Sequence, residues 1–374
     1  MSSMKIGDIN ISNKEGLSHM SALIDNESLW FESSDIKLNA TPEVYGAGLL
    51  FSSLSHNDQL QIEDAVSPKW LNGVEKILPI FNRWWDYPIL LPEASVQEPL
   101  NNAPLSNTAV CFTGGVDSFY SLLHSSHEIT HIVFAYGYDI SLNDTVRMAS
   151  YEKAMREIAR LLDVKPIIVT TNLREHPSYL GVNWEHSHGS ALASIGYLLS
   201  NEVGTLVIPA SYTYDNEHPW GSNWRTDSLW STENLNVVHD DATYGRIDKL
   251  KYIVDEPLVK QHLRVCWEKR SSLTGNCSEC EKCIRTMIGI SAWAPLEEFS
   301  AFDQSVSLAN RIDRLSSISP HIEAVYHKFL NRDLDDDVKL SIVRLLKRSR
   351  KIKIRRKLIG VLKKIFRRVL VKKI

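Results

Sequence analysis

The sequence has no apolar run long enough to cross a bilayer, little cysteine, and no acidic residue after Asp337. The first absence excludes membrane-spanning helices. Residues 1–13 are polar and lack the apolar core of a secretory signal, so we expect a cytoplasmic protein. Of the five cysteines, four lie between Cys266 and Cys283. In a cytoplasmic protein such a cluster indicates a metal site rather than disulfides.

Charge is distributed unevenly along the chain. Of 42 Lys and Arg residues, 16 follow position 337. This leaves 26 basic residues against 45 acidic ones up to and including Asp337, a net charge of −19 for that part of the chain. Such an acidic body lacks the basic face of a nucleic-acid groove, so nucleic acid is not an expected partner. With 43% hydrophobic and 23% charged residues, the composition is typical of a globular protein.

A Gly-Gly turn lies between an apolar run at 108–112 and a segment with helical periodicity at 116–125. Gly114 and Gly115 let the backbone turn tightly and approach a ligand. A helix N-terminus directly after such a turn favours an anion. The unit therefore predicts a phosphate site, although a plain turn between any strand and helix is the alternative. Asp117 would repel phosphate, so we expect it to cap the helix or to hold Mg²⁺.

Strand and helix patterns alternate from Thr108 onward. Apolar runs predict strands at 108–112, 131–136, 166–170, 205–210 and 236–240, and periodicity predicts helices at 116–125, 144–162, 189–202 and 244–254. This order is typical of an α/β fold with a doubly wound parallel sheet, which binds ligands at the carboxyl ends of its strands. The pattern lacks both the Gly-Lys-Ser/Thr of a Walker loop and the third glycine of a dinucleotide fingerprint.

Five segments are expected along the chain. They are an N-terminal α+β module at 1–100, a nucleotide-binding α/β domain at 107–258, a four-cysteine segment at 259–295, a helical segment at 296–337 and a basic tail at 338–374. Within the first segment we expect short strands at 28–31, 46–51 and 59–62 and a helix at 70–85. This module is a candidate for substrate recognition, for packing or for a homodimer contact.

A long segment rich in Trp, Tyr, Asp and Ser follows the fourth predicted strand. Loops of this length are uncommon without a function, and a self-packed Ω-loop is the alternative. Trp220, Trp224 and Trp230 are candidates for stacking on a planar ligand. The candidate substrate residues are Ser211, Tyr212, Trp220, Ser222, Asp227, Ser231 and Glu233. The candidates for acid–base chemistry are His186, His188 and His239, each with a structural role as the commoner alternative.

Two further sets of residues point to ligands. Arg246 and Lys249 lie three positions apart on one helix face, either as a solvated basic surface or as two cations for phosphates. The four clustered cysteines are Cys266, Cys277, Cys280 and Cys283. Four thiolates complete a tetrahedral zinc site with no open position, which favours a structural role. An iron–sulfur cluster is the alternative.

The segment from Thr113 to Ser118 resembles the Ser-Gly-Gly-X-Asp-Ser signature of the PP-loop ATP pyrophosphatases (adenine nucleotide alpha-hydrolase-like proteins), with Thr113 in place of the first serine. Together with the cysteine spacing, the region from Thr108 to Met287 resembles a diverged relative of the 7-cyano-7-deazaguanine synthase family. The N-terminal region, the long Trp-rich loop and the C-terminal extension depart from that family.

The resemblance implies an ATP-dependent ligase or amidotransferase that forms AMP and pyrophosphate, with Mg²⁺ and structural Zn²⁺. A carboxylate or amide oxygen of a small-molecule substrate would attack the α-phosphate of ATP, and ammonia or an amine would then displace AMP. The implied ATP-binding residues are Thr113, Gly114, Gly115, Val116, Asp117, Ser118 and Tyr136, and the implied catalytic residues are Asp117, Ser118, Arg246 and Lys249. The alternatives are a catalytically silent nucleotide-binding scaffold and a sulfur-transfer enzyme, for which only Cys111 remains outside the zinc set.

The tail is basic and amphipathic. From Lys347 to Ile374 it has fourteen basic residues and no acidic one. Apolar residues recur at helical spacing at Leu358, Leu362, Ile365, Phe366 and Val369. This pattern is typical of a helix on an anionic membrane surface, which would make the protein peripheral to the inner membrane face. Docking on the acidic body and an RNA-binding arm are the alternatives.

Overall fold

The computed structural model describes residues 2–98, 104–216, 218–266, 268 and 275–371. It divides into two compact units, residues 1–253 and residues 254–374. The first unit is an α/β unit built on a ten-stranded sheet. Its strands are β1 Ser3–Lys14, β2 Leu17–Ile24, β3 Glu27–Ser33, β4 Gln59–Val66, β5 Glu93–Val96, β6 Thr108–Cys111, β7 His131–Tyr136, β8 Lys165–Thr171, β9 Thr205–Pro209 and β10 Asn236–Asp240.

Helices flank this sheet. They are α1 Glu43–His56, α2 Pro68–Trp85, α3 Val116–His124, α4 Thr145–Leu162, α5 Trp184–Leu198 and α6 Arg246–Ile253, with a 3₁₀ turn at Asp227–Trp230. On one face of the sheet Phe112 contacts Phe119 of α3, and Tyr136 contacts Tyr151 of α4. On the other face Cys111 belongs to the core cluster that includes residues of α1 and α5.

The strand order is β10-β9-β6-β7-β8-β3-β2-β1-β4-β5. The part from β10 to β8 is parallel throughout, as predicted for a doubly wound sheet. The chain leaves β6 first toward β7 and β8 and later toward β9 and β10, so the order reverses at β6. The carboxyl ends of β6 and β9 therefore form the switch point at which such sheets bind ligands.

The N-terminal region extends this sheet rather than forming one of its own. Phe31 and Glu32 of β3 pair antiparallel with the last residues of β8, and β2, β1, β4 and β5 continue outward from there. The boundary between the two units falls after Ile253, near the end of the predicted nucleotide-binding domain. Non-local pairing of this kind leaves no local pattern in the sequence.

One predicted strand is wrong. Residues 46–51 lie inside α1, in which every residue from Glu43 to Leu54 is buried. A helix that is buried all round has no polar face, so its periodicity does not distinguish it from a strand. The predicted strands at 131–136 and 236–240 match β7 and β10 in full. The helix predicted at 189–202 starts earlier, at Trp184, because Asn183 caps it through the N–H of Glu185.

The second unit is helical. Its helices are α7 Pro257–His262, α8 Glu281–Ser291, α9 Leu308–Arg314, α10 Pro320–Phe329 and α11 Asp336–Val371. The first turns of α11 bury Val338, Ile342 and Leu345 and contact α9. Among the helices of the described residues, none combines the length and the apolarity that a membrane crossing requires.

Candidate active site and metal centre

The Gly-Gly turn connects β6 to α3 at the switch point. Gly114 has φ +72°, a left-handed conformation that disfavours any residue with a Cβ atom. Gly115 is the N-cap of α3, and no side chain caps this helix end. Ser118 Oγ donates to the carbonyl of Gly115 (3.0 Å) and lies 3.5 Å from Thr113 Oγ1. The N-terminus of α3, which begins at the buried Val116, thus lacks a side-chain acceptor and favours an anion.

Asp117 holds two cations at this helix end. Its carboxylate pairs with Arg246, and its Oδ1 lies 3.8 Å from Lys249 Nζ. The Lys249 side chain is 1% exposed, whereas that of Arg246 is 23% exposed. The alternative of a solvated basic surface is therefore wrong for Lys249. Arg246 is the cation of the pair that reaches solvent beside the Gly-Gly turn.

Lys249 is enclosed by polar groups that keep it in place. Its Nζ donates to the carbonyl of Ala210 (2.7 Å) and lies 5.2 Å from the centre of the Tyr120 ring. Burial lowers its pKa, while the negative charges of Asp117, Asp240 and Asp241 oppose that shift. An ammonium group without such partners would be costly to bury.

Asp240 is the last residue of β10, and Asp241 follows it directly. Tyr120 donates to Asp241 (2.8 Å), and Ser125 donates to Asp240 Oδ1 (2.9 Å). Asp240 Oδ2 is buried and, within the described residues, has no hydrogen-bond partner. Neither aspartate is among the residues predicted for the site. Their position after a strand of the parallel sheet is the signal by which sequence reasoning could have found them.

Tyr136, the remaining predicted ATP-binding residue, contacts residues of β7 and α4. It is 3% exposed, and its hydroxyl donates to the carbonyl of Met148 in α4 (2.6 Å). Its ring also packs against Phe134 and Tyr151. These contacts indicate a packing role between β7 and α4.

The long loop brings two of the predicted substrate residues together with a histidine. Asp227 is fully buried and accepts hydrogen bonds from Ser222 Oγ (2.6 Å) and from the N–H of Asn223 (3.0 Å). His239 of β10 places its Nδ1 2.7 Å from the same carboxylate. In the described structure, His239 Nε2 has no hydrogen-bond partner, yet it is not among the buried polar atoms without partners. The Asp227–His239 pair therefore leaves one ring nitrogen without a hydrogen-bond partner among the described residues, on a side chain that is 6% exposed.

This pair lies near the end of β6. Burial, and then the negative charge of Asp227, raise the pKa of the Cys111 thiol at the carboxyl end of that strand. His239 and Asp240 are successive residues of a strand, so their side chains point to opposite faces of the sheet. Asp240 faces Lys249 and α3, and His239 faces the long loop. The switch point thus has a cationic side and an imidazole side.

His186 and His188 have structural roles. His188 Nδ1 lies 3.1 Å from the carbonyl of Trp184, and its Nε2 accepts the N–H of Ser222 (3.2 Å). Only the neutral ring can do both, and burial also lowers the pKa of His188. His186 stacks on Trp85 with ring centres 4.1 Å apart and contacts Tyr87 and Asn183 through its two nitrogens. For these two histidines a structural role is therefore a better interpretation than acid–base chemistry.

The aromatic residues of the long loop divide into three groups. In one of them Trp224 packs against Tyr214 and lies under the Arg225 guanidinium. Trp230 is fully buried and packs near Phe81 of α2, so it belongs to the core. Tyr212 and Trp220 are half-buried and contact each other and His218. They remain candidates for a planar ligand, and Ser211 is exposed beside them in the chain. A Cβ on Gly189 would lie 2.0 Å from the carbonyl of Gly221, so this glycine lets the loop pack directly on α5.

Ser231 and Glu233 lie near the amino end of β10, not near the carboxyl ends of the strands. Ser231 Oγ accepts the N–H of Val237 near the start of β10, and Glu233 Oε1 accepts the N–H of Lys69 in the first turn of α2 (3.1 Å). The Gly-Gly turn follows the carboxyl end of β6, whereas these residues precede β10. The structure therefore does not bring them to the switch point.

The four clustered cysteines form a candidate metal centre. Their sulfur atoms all lie within 4.8 Å of one another, with Cys266 to Cys280 at 3.8 Å and Cys277 to Cys283 at 3.9 Å. Four thiolates about 2.3 Å from one zinc ion would be about 3.8 Å apart in a tetrahedron. All four cysteines are free. The site can hold a metal such as zinc, and a cluster of several irons would need its thiolates further apart.

Residues outside the cysteine motif support this centre. Asn276 Oδ1 accepts the N–H groups of Val265 and Cys266, and its Nδ2 donates to Leu263 and Ala301. Buried Arg311 donates to the carbonyl of Ser278 (3.1 Å). Cys280 is the N-cap of α8, so the helix end favours thiolates. The sequence pattern pointed to the ligands, but it did not identify Asn276 or Arg311.

Comparison with known proteins assigns no family. No protein-family model matches this chain, and no match is found among the curated proteins or the solved structures. The function is therefore inferred from the site geometry and from the resemblance of the sequence motifs.

Proposed function

We propose that this protein is an ATP-dependent ligase or amidotransferase of the PP-loop type, which adenylates a carboxylate or amide oxygen and releases pyrophosphate. The observation that supports this best is the cation pair held by Asp117 at the uncapped N-terminus of α3. Backbone N–H groups and fixed cations at a switch point are suited to stabilising the charge of a leaving pyrophosphate.

The residues around the turn would divide the work. The N–H groups of the Gly-Gly turn and the hydroxyls of Thr113 and Ser118 would bind phosphate oxygens. Arg246, which is partly exposed, would move from Asp117 to the phosphates. Buried Lys249 would hold Asp117 in position. The Asp117 carboxylate would then be free to hold Mg²⁺, which supplies further neutralisation of the phosphate charge.

The second half of the reaction needs a base. Ammonia and amines are protonated at neutral pH and must lose a proton before they attack an activated carboxyl carbon. Asp227 would orient His239 through Nδ1, leaving Nε2 to accept that proton. The new C–N bond would form as AMP leaves with the bonding electron pair. Tyr212 and Trp220 would hold a planar substrate beside this pair.

Two rival functions make different demands. A sulfur-transfer enzyme needs a reactive thiol outside the metal set, but Cys111 is 6% exposed and burial raises the pKa of its thiol. A silent nucleotide-binding scaffold would keep the Arg246–Asp117 pair closed when ATP is present. The cysteine centre would be a structural zinc site in either case, because its four ligands leave no open position.

Pyrophosphate release from ATP tests this proposal. The assay contains Mg²⁺, ammonium and a panel of deazaguanine, sugar-acid and other carboxylates, with Asp117→Ala as the matched inactive variant. We expect release that depends on one carboxylate and on Asp117. ATP binding without release for any member of the panel would favour the scaffold. An absence of ATP binding would refute both nucleotide functions.

We also propose a cytoplasmic location, peripheral to the inner membrane face. The support for it is the charge of the C-terminal segment, which has fourteen basic residues and no acidic one from Lys347 onward.

A further inference from the structure

The helix α11 has a docked side in its first half. Val338, Ile342 and Leu345 are buried there, and Ser349 Oγ both donates to the carbonyl of Leu345 and accepts the N–H of Ile318. These residues recur every three or four positions, so they occupy one side of the helix. The docked side thus extends from Val338 to Ser349.

Ion pairs fix how this half of the helix is rotated. Arg344 Nε donates to Asp313 Oδ1 (3.0 Å), and Arg348 Nη1 lies 3.6 Å from the same carboxylate. Arg348 also donates to the backbone carbonyls of Ile312 and Leu315. A helix held by buried apolar residues and by these pairs cannot turn about its axis without losing both.

The apolar positions of the second half lie on a different side. An α-helix advances about 100° per residue. Positions 358, 362, 365 and 369, which are Leu, Leu, Ile and Val, therefore fall about 150° around the axis from positions 338, 342 and 345. Leu340 and Ile354 lie on that same side, and they are 58% and 53% exposed. One continuous helix thus has a docked side and, further along its sequence, apolar positions at a different angle around the axis.

The charge of the second half limits what can bind there. From Arg350 to Lys373 there are twelve basic residues and no acidic one. A second copy of this segment would bring like charges together. RNA needs the charges but not the apolar stripe. An anionic bilayer takes both, because cations bind the headgroups while an apolar stripe enters the acyl boundary.

We infer that residues 350–371 of α11 bind the surface of an anionic phospholipid bilayer, while residues 338–349 attach the helix to its own unit. The rotation between the two sides lets the second half lie on lipid without undocking the first. This inference specifies the peripheral location proposed above and is independent of the ligase chemistry.

Vesicle flotation of the full chain tests it, at physiological ionic strength. The vesicles are pure phosphatidylcholine, or phosphatidylcholine with a quarter phosphatidylglycerol. Truncation after Ser349 removes the lipid-binding half and keeps the docked residues. Leu362→Asp with Ile365→Asp disrupts the stripe, and Lys364→Gln with Arg367→Gln is the matched control, since both pairs lower the net charge by two.

We expect the full chain to float with the anionic vesicles only, and the truncated chain not to float. The stripe variant should bind about tenfold or more weakly than the charge-matched control, because only the stripe variant loses apolar burial. Equal losses in the two variants would mean binding to any polyanion, and a fluorescent single-stranded RNA then serves as the probe. Flotation of the truncated chain, or none of the full chain, would equally overturn the inference.

Discussion

Two helix N-termini in the first unit have opposite surroundings: side chains cap the N-terminus of α2, and no side chain caps that of α3. At α2, Ser67 Oγ accepts the N–H of Trp70 (3.0 Å), Glu43 accepts the N–H of Ser67 (2.5 Å) and Glu233 accepts that of Lys69 (3.1 Å). At α3, glycine occupies the N-cap position, no side chain caps the helix, and cations gather on Asp117. Both ends carry the partial positive charge of the helix dipole.

The difference indicates which end is available to a ligand. Carboxylates already neutralise the N-terminus of α2, so a phosphate there would meet like charge. At α3 the carboxylate of the first turn, Asp117, is itself paired with Arg246 and lies near Lys249. Two cations therefore offset its charge at this helix end. A Gly-Gly turn is therefore informative because of what surrounds the helix that follows it.

The N-terminus of α8 is a third case, because cysteine thiols lie there instead of carboxylates. Cys283→Ala should abolish metal binding and unfold the second unit, because zinc binding contributes on the order of 10 kcal/mol to such sites. Cys111→Ala, in the first unit, should leave the metal content unchanged. Elemental analysis and thermal unfolding measure both. Full metal content in the Cys283 variant would disprove a four-thiolate site.

Arg246→Met directly tests the N-terminus of α3, which no side chain caps. Loss of the exposed cation should slow pyrophosphate release about 10²–10³-fold, as removal of one charge-stabilising donor does in other enzymes. Lys69→Met, at the neutralised end of α2, is the matched control and should have little effect. ATP titration by calorimetry separates binding from turnover. Equal effects of the two substitutions would remove the distinction between the helix ends.

His239→Gln tests the imidazole side of the switch point. Reaction with ammonium should fall about a hundredfold, the usual contribution of a general base. Reaction with hydroxylamine should persist, because hydroxylamine is a free base at neutral pH. Pyrophosphate release in the first step should also persist. His186→Gln, a change at a stacked structural histidine, controls for packing. A similar loss with both nucleophiles would argue against the role of His239 as a base.

Glu43→Gln tests the N-terminus of α2 and has the smallest expected effect. Burial raises the pKa of Glu43, so the folded state holds this proton more tightly than the unfolded chain does. The stabilisation is complete below the ordinary glutamate pKa and is lost as pH rises through the raised one. The native protein should therefore lose stability relative to Glu43→Gln between about pH 5 and pH 8.

Thermal unfolding at the two pH values measures this difference. Glu75→Gln, an exposed change on α2, gives the background. If the native protein instead gained stability relative to Glu43→Gln as pH rises, the folded state would favour the ionised carboxylate, contrary to the expected sign.

Local patterns predicted the parts of the fold that depend on neighbours in the chain. The strands at 131–136 and 236–240 matched because buried parallel strands form compact apolar runs between polar turns. The cysteine ligands were visible because three of the four lie within one short knuckle. Residues 46–51 were assigned wrongly because a helix that is buried all round carries no polar face.

The sequence by itself determined the Gly-Gly turn at a helix start, the thiolate set and the cationic tail, because each is a run of residues with its own chemistry. Only the tertiary structure decided that Asp240, Asp241 and Tyr120 surround Lys249. It also decided that Ser231 and Glu233 lie near the amino end of β10, away from the switch point. Those relations depend on which strands pair and in what order. Strand pairing is non-local, so a linear pattern does not encode it residue by residue.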